Sequence, residues 1–221
     1  NYVLIEKSDV NGPSSSEEYF VFDKVSRLGD KVAKIAIAIS KDSHYDYSKE
    51  KLYCYFPVRN FDTPIHALIN APFITNNSRD DVPDDSEQIN KRIFTEVLEF
   101  ISEVAEKLSK PEYEDIALKM VTPFLDNKLW DSDVFDLKNK YLGFLSNAPI
   151  LPTVNLQYIS IKEKPKLFFQ EFPDELIGET FSTLLQLLET NENAKLIQEL
   201  ADYNGYTELS FETEELAEKI N

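Results

Sequence analysis

Cysteine and histidine are scarce in this chain, which has one cysteine and two histidines among 221 residues. The single cysteine, Cys54, excludes an intrachain disulfide and a cysteine-based zinc site. It lies in an apolar segment, which favours a small buried side chain over a reactive nucleophile. His44 and His66 have no serine, cysteine or histidine neighbour at a spacing that suggests a catalytic triad or a metal site. We therefore expect no hydrolytic chemistry from this chain alone.

Glycine is also rare, with five residues in the whole chain. The sequence contains no Asp-x-Gly-x-Gly turn, no glycine-rich phosphate lid and no P-loop. Glycine-rich backbone is what usually wraps around the phosphates of a nucleotide. We expect that the isolated chain does not bind ATP well and holds no cofactor by itself.

Basic residues are far outnumbered by acidic ones, and long apolar runs are lacking. The chain has 23 Lys and Arg against 40 Asp and Glu, a net charge of −17, which opposes binding to nucleic acid or anionic lipid. No apolar run approaches the roughly 18 residues that span a bilayer, and the first residues lack the order of a signal peptide. We expect no nucleic-acid or membrane partner and a cytoplasmic location.

The acidic residues are concentrated in the last part of the chain. Residues 171–221 hold 13 Asp and Glu but only Lys195 and Lys219, which contributes −11 of the net charge of −17. This segment is either a solvated helical face or a surface for a basic protein partner, which includes a basic region of a longer chain. The chain begins with asparagine and has its one methionine at Met120, from which we expect a piece of a longer protein, with removal of an initiator methionine as the alternative.

Short apolar segments in the first half predict a sheet. Because most connections are too short for a crossover helix, we expect a mixed or mainly antiparallel sheet of about five strands. The Tyr53-Cys54-Tyr55-Phe56 segment is interpreted as core packing, with the lining of a ligand cleft as the alternative. The predicted strands are Tyr2–Lys7, Glu18–Val25, Lys31–Ser40, Leu52–Val58 and Ala67–Thr75.

A helical period follows the sheet segments. Apolar residues spaced by three and four predict an amphipathic helix of about 20 residues that packs on the sheet; they are Ile89, Ile93, Val97, Phe100, Ile101, Val104 and Leu108. Ser86 is its predicted N-cap. The predicted class is α+β, with a sheet-and-helix domain over residues 1–110, a helical connector over 111–148 and a smaller acidic α+β lobe over 149–221.

A polar loop between the last strand and the long helix carries the strongest motif. Asn70-Ala71-Pro72-Phe73-Ile74-Thr75 leads into Asn76-Asn77-Ser78-Arg79-Asp80. Together with Leu52–Val58, Thr63 and Asn90, this region resembles the segment after the nucleotide pocket in sacsin-type bacterial ATP-binding proteins. These belong to the ATPase superfamily of gyrase B, histidine kinases, MutL and the large heat-shock chaperone. The chain departs from the family pattern at Leu68, where many relatives have histidine, and at Pro83, where the chaperone has glutamine.

The resemblance implies a transducer-like middle domain that follows a nucleotide-binding domain of the same chain. It identifies Arg79 as the catalytic arginine that reaches the γ-phosphate, and it places Asn76 and Ser78 in the same nucleotide-facing loop. ATP and Mg²⁺ would then be bound only together with the preceding domain. The longer protein would be an ATPase, whereas this chain alone would be inactive.

Two alternatives remain open from the sequence. Arg79 can be an ordinary surface or helix-capping arginine that pairs with a nearby acid such as Asp80 or Asp84, in a non-catalytic protein-interaction module whose acidic lobe binds a partner. The run of Asp80, Asp81, Asp84 and Asp85 can be a divalent-cation loop, but it lacks the glycine that a calcium loop requires. A cluster at the positive end of the following helix is the other interpretation.

Overall fold

The computed structural model divides the chain into two compact units. One unit comprises Asn1–Ile101 with Pro123–Leu137, and the other comprises Ser102–Thr122 with Lys138–Asn221. No described helix is long and apolar enough to cross a membrane. These two compact units do not test the predicted division into three domains, because a domain is a segment that folds by itself. The described residues are 2–7, 15–28, 31–42, 44–82, 87–113, 116–124, 127–131, 137–153, 157–165 and 191–206.

A six-stranded sheet forms the first unit. Its strands are β1 (Tyr2–Lys7), β2 (Ser15–Leu28), β3 (Lys31–Ser40), β4 (Lys51–Cys54), β5 (Phe56–Asp62) and β6 (Leu68–Asn70). The spatial order is β1-β2-β3-β6-β4-β5. All neighbouring pairs are antiparallel except β4 and β6, which are parallel. The mixed, mainly antiparallel sheet and the α+β class are confirmed.

The predicted fourth strand is wrong in one respect, because Leu52–Val58 is not continuous. The chain reverses at Tyr55, so that Tyr53 pairs with Pro57 across β4 and β5. Tyr55 has a left-handed backbone with φ of 61°, a conformation that aromatic residues rarely adopt. No glycine or asparagine marks this reversal, which is why an apolar run is read as a single strand.

The long helix α1 (Glu87–Leu108) packs on the sheet through its first turns. The Phe94 ring packs near two others, with its centroid 4.6 Å from that of Phe73 and 5.9 Å from that of Phe61. The Ser26 hydroxyl of β2 donates to Glu96 at 2.9 Å. The apolar face is thus confirmed as the buried one, and the predicted N-cap Ser86 lies outside the described residues.

One predicted member of that face is wrong. Ile89 is 50% exposed, whereas Asn90 is fully buried. Asn90 takes the inward position because its amide binds the backbone of the preceding loop, a polar role that apolar periodicity does not detect. Phe94 and Leu98 are also buried, although they were not counted in the predicted stripe. The other predicted members, all buried, are Ile93, Val97, Phe100, Ile101, Val104 and Leu108.

Short helices and a small sheet make up the rest of the described chain. The two-stranded antiparallel sheet pairs β7 with β8. Most of the predicted acidic lobe lies outside the described residues, which omit 154–156, 166–190 and 207–221. The remaining elements are α2 (Ile116–Val121), α3 (Lys128–Asp131), α4 (Leu137–Leu145), β7 (Leu151–Pro152), β8 (Tyr158–Ile159) and α5 (Asn191–Tyr203).

The second unit is held by buried side chains. In α5, Leu196, Ile197 and Leu200 are buried, as expected for an amphipathic helix. The buried hydroxyl of Thr122 lies 2.7 Å from the side-chain amide of Asn193. This bond gives the buried hydroxyl a partner, without which its burial would be destabilising.

Candidate functional site

The candidate site is the polar loop that contains Arg79, and Asn76 organises it. The backbone N–H of Arg79 donates to the Asn76 carbonyl at 3.0 Å, which closes a turn. The Asn76 side-chain oxygen accepts from the N–H of Asp80 at 2.8 Å. The backbone N–H of Asn76 donates to the Asp81 carbonyl at 3.1 Å. Asparagine therefore stabilises this loop through local hydrogen bonds to the backbone.

The same loop is anchored on the edge strand β5. The N–H of Asn60 donates to the Asp80 carbonyl at 2.8 Å, and the N–H of Arg59 lies 3.4 Å from the Arg79 carbonyl. A sheet edge leaves backbone groups unpaired, so the loop covers part of this edge. The backbone on both sides of the Arg79 side chain is consequently held in place.

Arg79 itself has a left-handed backbone, with φ of 57°. Its side chain is exposed, and its guanidinium carbon lies 4.9 Å from the centre of the Phe56 ring. This is a cation–π distance. None of the ion pairs among the described residues involves Arg79, so the structure gives this cation a ring as its neighbour.

The neighbouring acid pairs with another arginine. Asp80 Oδ1 lies 3.6 Å from Arg59 Nη1. That oxygen is buried and accepts no hydrogen bond from a described residue, and the distance to Arg59 is too long for one. Asp80 is thus paired with Arg59 on β5 and not with Arg79, whereas Asp84, the other acid that the sequence offers to Arg79, lies outside the described residues.

Ser78 and the acidic run complete the predicted set. Ser78 is exposed, and no hydrogen bond to a described residue is formed by its hydroxyl. Asp81 is also exposed, whereas Asp84 and Asp85 fall in a stretch that the structure leaves undescribed. Within the described ranges, no group of three His, Cys, Asp or Glu side chains could hold a metal ion.

Asn90 connects this loop to the long helix. Its side-chain oxygen accepts from the N–H of Ile74 at 2.9 Å, and its side-chain nitrogen donates to the Ile74 carbonyl at 3.0 Å. A single buried amide thus satisfies both backbone groups of one residue. The segment that leads into the Asn76 turn is in this way tied to α1.

Cys54 lies beside the site, and its side chain is half-buried. Its Sγ lies 3.1 Å from the Phe73 carbonyl, to which the thiol donates. Burial raises the pKa of the thiol, while the positive charge of Arg79 acts in the opposite direction. Because the net effect on the pKa is upward, the nucleophilic thiolate is disfavoured at neutral pH.

Exposed aromatic side chains at the hairpin reversal correct the predicted core strand. Tyr55 is 79% exposed and Phe56 is 60% exposed. The alternation of a strand breaks at Tyr55, because its left-handed backbone redirects the side chains that follow. Phe56 was not among the predicted site residues, and the sequence signal that points to it is its place directly after the reversal.

Neither histidine belongs to the loop that contains Arg79. The His66 ring packs 4.3 Å from the Phe124 ring and 6.1 Å from the Tyr47 ring, centre to centre, whereas His44 is exposed in a loop. His66 therefore contributes to aromatic packing.

Comparison of the chain with protein-family models, with curated proteins and with solved structures finds no significant match.

Proposed function

We propose that this chain is the coupling domain of a larger sacsin-like ATPase, in which Arg79 reaches toward the γ-phosphate of ATP held by a preceding nucleotide-binding domain. The observation that carries the proposal is the exposed Arg79 guanidinium on a loop fixed from both sides, with no acidic partner in the described ion pairs. Arginine keeps its charge at physiological pH and offers a planar fork of donors that fits phosphate oxygens.

The proposed mechanism is positional. Charge develops on the γ-phosphoryl group in the transition state, and a pre-positioned cation stabilises it. Since Arg79 belongs to a different domain from the bound nucleotide, this stabilisation arises only when the two domains dock, which links hydrolysis to a conformational change. In this proposal ATP and Mg²⁺ are bound by the preceding domain. The proposed location of the protein is the cytoplasm.

Replacement of Arg79 by alanine tests the proposal in the longer ATPase. We expect ATP turnover to fall by about tenfold or more while nucleotide affinity changes much less, because the cation acts in the transition state. Arg79→Lys should recover only part of the rate, since a point charge replaces a planar fork. Steady-state hydrolysis and nucleotide binding are measured in parallel.

The matched control is Arg27→Ala, which removes an exposed arginine from β2. Its turnover should equal that of the wild type. Wild-type turnover in Arg79→Ala would contradict the proposed role and leave Arg79 as a surface residue.

The 221-residue chain by itself should show no measurable ATP hydrolysis. The expected reason is that its sequence has none of the glycine motifs that cradle phosphates. Phosphate release from the purified chain, with and without Mg²⁺, provides the measurement. Robust turnover that a single substitution within the chain abolishes would contradict the assignment of the nucleotide site to another domain.

The alternative proposal is a non-catalytic protein-interaction module with an acidic partner-binding surface. The exposed Tyr55 and Phe56 side chains next to Arg79 favour it, because tyrosine and arginine are enriched at the energetic centres of interfaces. In the described part of the acidic lobe, Glu199 pairs with Lys138 at 3.0 Å, so this acid already has a basic partner within the chain. A partner at the acidic lobe remains a proposal.

A further inference from the structure

Two left-handed residues bring Phe56 and Arg79 together. Tyr55, directly before Phe56, has φ of 61°, and Arg79 has φ of 57°. The N–H of Tyr55 donates to the Asn70 side chain at 2.9 Å, which anchors the reversal to β6. Unfavourable backbone conformations persist only where surrounding contacts stabilise them. Here the contact between the two segments involves Arg79, the predicted functional residue.

We propose that Phe56 is a positioning residue that holds the Arg79 guanidinium in place for the phosphate. This inference rests on the proposed function of Arg79. The ring lies 4.9 Å from the guanidinium carbon and attracts it through its π face. Because Phe56 is 60% exposed, its ring is not simply filling the core.

The choice of a ring instead of an acid has a chemical consequence. A carboxylate would bind the N–H donors of the guanidinium, as arginine–carboxylate pairs generally do. A phenyl ring has no oxygen acceptor, so it limits the motion of the side chain and leaves those donors free to bind phosphate oxygens. The acid next in sequence, Asp80, is directed toward Arg59, which keeps a competing carboxylate away from Arg79.

Cys54 provides an internal reporter of the Arg79 position. It pairs with Phe56 across the hairpin, and the charge of Arg79 lowers the pKa of its thiol against the effect of burial. As Cys54 is the one cysteine of the chain, its Cβ chemical shift followed by NMR against pH reports this thiol alone. Movement of the guanidinium away from the hairpin should raise the thiol pKa.

The first experiment uses the 221-residue chain and four variants. Phe56→Leu should shift the Cys54 titration to higher pH, in the same direction as Arg79→Gln, whereas Phe56→Trp should titrate like the wild type because it keeps a ring. Phe20→Leu is the matched control, since it removes another ring, which lies 5.6 Å from Lys41. It should leave the Cys54 titration unchanged. An unshifted titration in Phe56→Leu would overturn the proposal.

The second experiment measures turnover in the longer ATPase. Phe56→Leu should lower kcat by about two- to fivefold, the range that an exposed cation–π contact supports, with little change in KM. Phe56→Trp should restore kcat. If Phe56→Leu shifts the thiol titration while Arg79→Ala retains wild-type turnover, the contact stands and the phosphate role of Arg79 fails. If the titration shifts and Arg79→Ala is slow but Phe56→Leu is not, the positioning role is overturned.

Discussion

Val97→Asp is expected to lower the free energy of unfolding by about 3–5 kcal/mol, because a carboxylate would be buried without a partner. Val97 is 2% exposed in the middle of α1, on the buried apolar face of the helix. Urea and thermal unfolding followed by circular dichroism provide the measurement.

Ile89→Asp is the matched control for this substitution. It makes the same kind of change in the same helix, but at an exposed position in the first turn. An acid near a helix N-terminus is mildly favourable, so the stability should change by less than about 1 kcal/mol. Equal stability of Val97→Asp and the wild type would show that this face of α1 is not buried.

Asn90→Ala should destabilise the chain by about 2–4 kcal/mol, because it removes both hydrogen bonds to the Ile74 backbone. The N–H and the carbonyl of Ile74, whose bonds to Asn90 are partly buried, would lose their partner, and a partly buried backbone group without a partner carries a desolvation penalty. The loss should also loosen the segment that precedes Asn76. Unfolding free energies and amide hydrogen exchange at Ile74 measure the two effects.

Gln88→Ala provides the comparison, since Gln88 lies in the first turn of α1 and is exposed. Alanine is a good helix former, so this variant should be close to the wild type. An Asn90→Ala protein as stable as Gln88→Ala, with unchanged exchange at Ile74, would mean that the amide bridge contributes nothing to the loop.

Local periodicity explains why α1 could be predicted and also where the prediction failed. Apolar spacing of three and four residues reports which face of a helix is buried, and Ile93, Val97 and Ile101 follow it. It cannot report a polar side chain that is buried because it has a specific backbone partner. Asn90 is such a residue, and Ile89 was placed on the buried face in its stead.

The predicted arginine loop was recovered in part. Asn76 holds the turn by hydrogen bonds within five residues, which are local and therefore accessible to sequence reasoning. The partner of Asp80 was not accessible, since Arg59 approaches from β5. The role of Arg79 stays a proposal, because in that proposal the phosphate is held by a preceding domain.

By itself the sequence determined the α+β class, the long amphipathic helix, the strong negative charge and the lack of phosphate-cradling glycines, because each of these depends on composition or on spacing along a short stretch. Only the tertiary structure decided that the chain reverses at Tyr55, that Phe56 lies beneath Arg79 and that Asp80 turns toward Arg59. These features depend on two left-handed residues that carry no glycine signal and on contacts between segments distant in sequence. Their energies are set by the neighbours that folding brings together.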